Sequence, residues 1–183
     1  MCETDRSAAG AKRPPADAAA SARRSPARGL QHGAPRRGPS GSPARGFGGG
    51  GAWHVVGAAA PQPARVSSRR LLAEGLLCTS DFVSFARRPD GPSRGTAARR
   101  RLEEACLLTR TWGDGYGYLL VATGRAEVMI DPIMNAWDAA AVETVVTEAG
   151  GRFTDWQGRP RIDSGDGLAS NGLVHEEALR LVS

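Results

Sequence analysis

The second half of the sequence predicts an α/β fold, because strand-like and helix-like segments alternate along it. Apolar runs of strand length recur from residue 107 onward, and apolar runs of helix length lie between them. Glycine and proline turns separate these segments, as they do between the elements of layered α/β sheets. The chain has 183 residues, which is enough for one domain of ordinary size.

The first 50 residues differ in composition from the rest of the chain. They are rich in Ala, Arg, Pro, Gly and Ser and contain almost no β-branched or aromatic residues. Such a segment cannot bury enough apolar surface to offset the entropy lost on ordering. We therefore predict a disordered leader over residues 1–50 and a folded domain over residues 51–183.

The charge of this leader leaves three interpretations open. Residues 1–70 contain 12 Lys and Arg against 3 Asp and Glu, a balance of +9, whereas residues 71–183 have a balance of −4. The leader could be a nucleic-acid-binding arm, but it lacks the interleaved aromatic residues of such arms. It could also be an organelle transit peptide, although proline and glycine would interrupt an amphipathic helix. We favour an unstructured or wrongly translated leader and expect no nucleic acid partner.

Two segments precede the regular alternation of strands and helices. The leucine-rich stretch 71–82 predicts a helix or a strand that enters the domain, with Ser80 or Asp81 as a possible N-cap. Residues 87–96 contain two prolines and two glycines and are predicted to form a loop. Residues 97–108 then predict a helix with its apolar side chains toward one side.

The later elements are predicted from the same signals. The strands are short, and most of the helices end at a glycine or in a turn. The predicted order is strand 107–112, helix 116–123, strand 126–130, helix 138–149, strand 152–156, strand 168–169 and helix 174–181.

Cysteine and histidine usage excludes several kinds of site. The three cysteines have no C-x-x-C spacing, which argues against a disulfide framework or a zinc site and suits a reducing cytosol. The three histidines form no H-E-x-x-H pair. No run of about 18 apolar residues occurs, so we expect no membrane-spanning helix. These features predict a cytoplasmic protein, or an organellar one if the leader is a transit peptide.

Asp138 is the best candidate in the sequence for a metal ligand. It stands at the start of the predicted helix 138–149, where the helix dipole and unpaired backbone N–H groups favour a carboxylate. Small residues follow it and Trp137 precedes it, so a rigid carboxylate could face a cleft. Hard ions such as Mg²⁺ take oxygen ligands of this kind. Spacing alone, however, favours the simpler role of a helix cap.

Two further acidic residues lie on neighbouring strand-to-helix connections. Asp114 is in a glycine-rich turn at 113–117, whose spacing fits neither the dinucleotide fingerprint nor the P-loop. Asp131 follows the strand 126–130, and ligands gather at strand ends in α/β sheets. Carboxylates on successive connections repel one another unless they bind cations, so Asp114, Asp131 and Asp138 are expected to form a cation-binding cluster.

The motifs around these residues resemble the inositol monophosphatase superfamily. W-D-x-A-A at 137–141, followed seven residues after its last alanine by E-A-G-G at 148–151, is similar to that family's second sequence motif. Segments 111–118, 128–132 and 154–160 resemble the histidinol-phosphatase branch in particular, and weaker similarity reaches back to residues 63–80. The resemblance implies the layered αβαβα fold of the sugar phosphatases, of which this chain would supply mostly the carboxyl-terminal α/β half.

The resemblance also implies roles for the three carboxylates. Asp138 matches the family's metal-binding Asp, and Asp131 matches an acidic residue that contacts a hydroxyl or amino group of the substrate. Asp114 matches a turn that lines the substrate pocket, where an acid would suit the cationic amine of histidinol phosphate. The implied protein is a homodimer that hydrolyses L-histidinol phosphate, a small phosphorylated metabolite, with Mg²⁺.

One departure from the family limits this expectation. The G-E-E and D-P-x-D-G-T motifs, which supply most metal ligands and position the attacking water in the family, do not occur in the sequence. One carboxylate cannot hold two metal ions, so we assign no catalytic residue and expect a truncated or amino-terminally altered relative with little or no activity. The alternatives are a phosphatase for inositol or sugar phosphates, a non-catalytic dimerisation or regulatory relative, and an arginine-rich nucleic-acid-binding protein.

Overall fold

The computed structural model describes the backbone of residues 30–32 and the whole of residues 50–183. Within these residues lie the strands β1 (Leu30–His32), β2 (Ala52–His54), β3 (Gln62–Pro63), β4 (Leu76–Thr79), β5 (Leu108–Thr111), β6 (Val128–Asp131), β7 (Arg152–Thr154) and β8 (Gly167–Ser170). The helices are α1 (Pro92–Ala105), α2 (Gly115–Ala122), α3 (Ala136–Glu148) and α4 (His175–Val182), with short 3-10 helices at Leu72–Glu74 and Ser84–Arg87. Apart from β1, the predicted leader up to residue 49 lies outside the described part of the chain.

The main sheet has five strands in the order β5-β4-β6-β8-β7. Strands β5, β4 and β6 run parallel to one another, whereas β8 runs antiparallel to both of its neighbours. The carboxyl ends of β4, β5 and β6 therefore lie at one edge of the sheet, together with the beginning of β8. A separate antiparallel sheet, with the order β1-β2-β3, contains the hairpin from Ala52 to Pro63.

Helices cover both faces of the main sheet, and the alternation of side chains along β6 fits this arrangement. Met129 belongs to an apolar cluster with residues of α2 and α3, whereas its neighbours Val128 and Ile130 belong to a second cluster with residues of α1 and α4. Successive side chains of a strand point to opposite faces, so a strand buried on both sides needs a continuous apolar run. The predicted layered α/β fold is confirmed.

The first helix begins earlier than the sequence predicted. Helix α1 starts at Pro92 and ends at Ala105, so the loop prediction is wrong for residues 92–96. Proline suits the first helical position because its fixed φ is helical and its missing N–H needs no partner there. Gly95 lies against the 3-10 helix before it, and a Cβ atom at this position would collide with the backbone carbonyl oxygen of Phe85.

The other predicted elements are present with small shifts. Helix α3 begins at Ala136 rather than at residue 138, and strand β6 extends to Asp131. Strand β7 ends at Thr154 because Asp155 enters a turn, in which its carbonyl oxygen accepts a hydrogen bond from the Gly158 N–H at 3.0 Å. The undecided segment 71–82 contains the short 3-10 helix and β4. None of the helices in the described residues is long and apolar enough to cross a membrane.

Candidate active site at the carboxyl edge of the sheet

Asp131 is a buried carboxylate at the edge where β4, β5 and β6 end. It is the last residue of β6, and 6% of its surface is exposed. The backbone N–H of Ser80, just after β4, donates a hydrogen bond to Oδ1 at 3.0 Å. The hydroxyl group of Tyr118, on α2, donates a hydrogen bond to Oδ2 at 3.0 Å. Both carboxylate oxygens of Asp131 are therefore held by donors from neighbouring elements.

Burial and the hydrogen bonds act in opposite directions on the pKa of Asp131. Burial raises the pKa of this carboxyl group most, because the charged form loses hydration. The hydrogen bonds from Ser80 and Tyr118 oppose this rise, and the nearby negative charge of Asp81 adds to it. The balance is a raised pKa. Perturbed carboxyl groups of this kind are enriched at functional sites.

Asp131 differs from the other buried acidic residues in having no arginine partner. Glu127 pairs with Arg69, Asp155 with Arg159 and Asp166 with Arg88, at N···O distances of 3.1, 2.7 and 2.9 Å. Asp131 forms no ion pair with any of the residues in 50–183. A buried carboxylate that lacks a cation is costly, so its presence here favours a role in binding a positively charged group from outside.

Asp138 lies in the first turn of α3 and is exposed to solvent. The side chain of Asn135, the residue before the helix, donates a hydrogen bond to its Oδ2 at 3.2 Å. The helix starts at Ala136, so Asp138 is not the cap residue that spacing alone favoured. Its carboxylate still benefits from the positive end of the helix, and it remains available to a ligand.

Asp114 is the residue before α2, and it is exposed. Its backbone has a φ of 53°, which is unusual for a residue with a side chain, and its carboxylate makes no capping hydrogen bond. The rings of Trp112 and Tyr116 stack on each other across this turn, with their centroids 5.2 Å apart. The turn therefore presents a carboxylate beside a partly exposed aromatic pair.

The three carboxylates do not assemble into the expected cation-binding cluster. Within residues 50–183, no group of three His, Cys, Asp or Glu side chains could hold a metal ion. Asp114 and Asp138 are exposed at the starts of α2 and α3, whereas Asp131 is buried at the end of β6. The described side chains therefore do not offer Mg²⁺ a complete site.

Sequence reasoning missed the side chains that hold this edge together. Arg88 is 6% exposed and contacts three neighbouring loops. It forms ion pairs with Asp90 and Asp166, donates a hydrogen bond to the carbonyl oxygen of Pro132 at 3.3 Å, and stacks 3.9 Å above the centroid of the Trp156 ring. Within the run 87–96, which was predicted to be a loop, nothing distinguished Arg88 from the other arginines.

Comparison with known proteins identifies the family to which the chain belongs. The model of the inositol monophosphatase family matches residues 41–183. The chain belongs to the inositol monophosphatase family. Its sequence is 44% identical over 108 residues to the histidinol-phosphatase of Chlorobaculum parvum, covering 59% of this chain and 40% of that protein. It is 35% identical over 132 residues to the histidinol-phosphatase of Mycobacterium tuberculosis, covering 70% of this chain and 48% of that protein.

A solved structure from the same family confirms the fold. The inositol monophosphatase from Zymomonas mobilis aligns with a TM-score of 0.60 and 24% sequence identity, covering 73% of this chain and 53% of that one. The chain spans less than half the length of the two histidinol-phosphatases above. The layered sugar-phosphatase fold predicted from the sequence is thus confirmed, whereas the roles of Asp114, Asp131 and Asp138 stay predictions.

Proposed function

We propose that this chain forms the substrate-binding side of a Mg²⁺-dependent phosphomonoesterase of the histidinol-phosphatase type. The reaction is the hydrolysis of L-histidinol phosphate to L-histidinol and phosphate. Membership of the inositol monophosphatase family supports the reaction class, and similarity to two histidinol-phosphatases supports the substrate. The expected homodimer and cytoplasmic location also stay predictions.

The observation that carries the choice of substrate is the buried Asp131 without a cation. L-histidinol phosphate bears a primary amine that is protonated at neutral pH, and an ammonium group makes strong charge-assisted hydrogen bonds with a carboxylate. Asp131 already has both oxygens fixed by Ser80 and Tyr118, so it would meet the amine without reorganisation. Asp114 would add a second negative charge at the rim of the same edge. A neutral polyol such as inositol would leave the charge of Asp131 uncompensated.

Replacing Asp131 with Asn is expected to weaken binding of L-histidinol phosphate by about 10- to 100-fold, because a hydrogen bond to a charged group contributes about 1.5–3 kcal/mol. Isothermal titration calorimetry measures the affinity without requiring turnover. Asp163→Asn is the matched control, since Asp163 is exposed and pairs with Arg161 at the surface. The analogue of the substrate that lacks the amine should bind wild type weakly. Asp131→Asn and Asp163→Asn should bind this analogue with the same affinity. If wild type binds inositol phosphate as tightly as L-histidinol phosphate, the result favours the alternative of an inositol or sugar phosphatase.

The proposed role of Asp138 is to supply one ligand to Mg²⁺. The described residues do not complete such a site, so no chemical step is assigned to them and we expect little phosphate release from this chain by itself. The remaining ligands would come from outside the described residues. The part of the mechanism that this chain supports is recognition of the substrate at Asp131 and Asp114.

Replacing Asp138 with Asn should remove the local effect of a bound divalent cation. We expect Mn²⁺, used as a paramagnetic probe in place of Mg²⁺, to broaden the NMR signals of Asn135 and Asp138 in wild type, because oxygen-rich sites accept both ions. The broadening of Asn135 should disappear in Asp138→Asn and persist in Asp163→Asn. If the broadening is equal in all three proteins, Asp138 is not a metal ligand and only stabilises the start of α3.

A further inference from the structure

Tyr118 stands out because it places a hydroxyl group inside an otherwise apolar part of the molecule. It lies in the middle of α2, is 1% exposed, and its ring is tilted against that of Phe153 at a centroid distance of 6.2 Å. A buried hydroxyl group is costly unless it has a hydrogen-bond partner. Phenylalanine would fill the same space without that cost, so the hydroxyl group needs a reason to be there.

The partner of this hydroxyl group is the carboxylate on which the proposed substrate contact depends. The Tyr118 hydroxyl group lies 3.0 Å from Oδ2 of Asp131 and 3.4 Å from the sulfur atom of Met134. A neutral phenol can only donate to an ionised carboxylate, and burial together with the nearby charge of Asp131 raises the pKa of Tyr118 well above its usual range. The phenol therefore stays a donor wherever Asp131 is ionised.

The two donors to Asp131 come from two different elements and fix its orientation. Ser80 follows β4 and binds Oδ1, whereas Tyr118 belongs to α2 and binds Oδ2. Loss of the second bond would leave the carboxylate anchored at one oxygen and free to rotate about its Cβ–Cγ bond. The position of the charge that faces a ligand would then no longer be defined.

Three further carboxylates act on this pair. Asp81, from the loop after β4, acts on Asp131, while Asp138 of α3 and Asp166, just before β8, act on Tyr118. Each of these carboxylates opposes ionisation of a buried neighbour. A hydrogen bond from Tyr118 is one of the few interactions that favour the charged form of Asp131.

We propose that Tyr118 is a positioning residue that orients Asp131 towards the substrate by holding its Oδ2 atom. The inference rests on the proposed contact between Asp131 and the substrate. It assigns Tyr118 an effect on affinity and selectivity through Asp131, without any contact of its own with the substrate.

The test compares Tyr118→Phe with Tyr116→Phe, two removals of one phenolic oxygen from the same helix. Tyr116 is 46% exposed and stacks on Trp112, so its variant controls for the chemistry of the change. In ¹³C NMR titrations of the Asp131 carboxyl carbon, we expect the pKa to rise in Tyr118→Phe and to stay at the wild-type value in Tyr116→Phe. The amide spectrum confirms that each variant is folded, and a merely structural role would leave the titration unchanged.

The affinity for L-histidinol phosphate separates this inference from the proposed function. We expect Tyr118→Phe to weaken binding by about three- to tenfold, the usual range for one hydrogen bond, and to weaken it more than Tyr116→Phe does. An unchanged Asp131 titration in Tyr118→Phe overturns the positioning role. If wild type does not bind the substrate, the proposed function fails, and the positioning role towards a substrate fails with it. A titration that moves while affinity stays constant also rejects the role, because orientation of Asp131 would then not matter to binding.

Discussion

Replacing Arg88 with Met is expected to lower the free energy of unfolding by about 3–5 kcal/mol, the usual cost of removing one partner from a buried ion pair. The side chain of Arg88 is 5% exposed, and that of its partner Asp166 is 6% exposed. Methionine keeps much of the volume of the side chain but leaves the carboxylate of Asp166 buried without a cation. Burial already raises the pKa of Asp166, and Arg88 is one of the groups that oppose this rise.

Urea unfolding measures this change, and Arg94→Met is its matched control. Arg94 pairs with the same Asp90, at 3.2 Å, but its side chain is 42% exposed and the pair lies at the surface. Exposed pairs contribute about 0–1 kcal/mol, so Arg94→Met should cost little. Adding Asp166→Asn to Arg88→Met should restore part of the lost stability, because the buried charge disappears. If Arg88→Met and Arg94→Met lower the free energy of unfolding equally, the buried ion pair contributes no more to stability than the surface pair.

Arg88 also illustrates why the sequence predicted the fold better than the site. The fold follows from local patterns in the sequence, such as the apolar run of β6 between Glu127 and Asp131. The partners of Arg88 lie at Asp90, Pro132, Trp156 and Asp166, on loops that meet only after the sheet has formed. No spacing along the chain encodes that meeting.

The start of α1 was misplaced for a related reason. Pro92 and Gly95 are turn residues by local rules, and their presence predicted a loop. In the structure Pro92 opens the helix, and Gly95 lets the helix lie against the backbone of the 3-10 helix at Phe85. The glycine is required by a close approach between two elements, and that requirement becomes visible only once both elements are placed.

The candidate site was predicted in part. The end of a buried strand pointed to Asp131, and that residue is indeed buried at the carboxyl edge of the sheet. The expected grouping with Asp114 and Asp138 is absent from the described residues. Asp131 is buried at the end of β6, whereas Asp114 and Asp138 are exposed to solvent at the starts of α2 and α3. Tyr118 could have been noticed as the tyrosine that follows the turn in an apolar helix, but its bond to Asp131 depends on the packing of α2 against β6.

Lowering the pH from 7 to 5 is expected to reduce the free energy of unfolding by about 2 kcal/mol through His175 alone. His175 is the first residue of α4 and is fully buried. Its Nε2 lies 2.9 Å from the Thr154 hydroxyl group, and its Nδ1 lies 2.9 Å from the Ser170 hydroxyl group. Burial, with a smaller effect from Arg152, lowers the pKa of His175 to about 4.

The direction of the effect follows from the two pKa values of His175. In the unfolded chain its pKa returns to about 6.5, so below that pH the unfolded state binds a proton that the folded state does not. The stabilisation is complete above about pH 6.5 and is lost as the pH falls towards about 4, where the folded protein also takes up the proton. Aspartate and glutamate side chains in the unfolded chain titrate mostly below pH 5, but burial raises the pKa of Asp131 and Asp166 in the folded protein, so a His175 variant is needed to separate the histidine from them.

Urea unfolding at pH 7 and pH 5 tests this account with two variants. His175→Gln should lose stability at pH 7, because glutamine cannot satisfy both hydroxyl groups in the same geometry, but its stability should change little between the two pH values. Gln62→Ala is the control, since Gln62 is exposed in β3, outside the main sheet, and has no titratable group, and it should keep the wild-type pH dependence. If His175→Gln loses as much stability as wild type on going to pH 5, the titrating group lies elsewhere. A flat response in wild type would mean that the Thr154 and Ser170 contacts also accommodate the protonated ring.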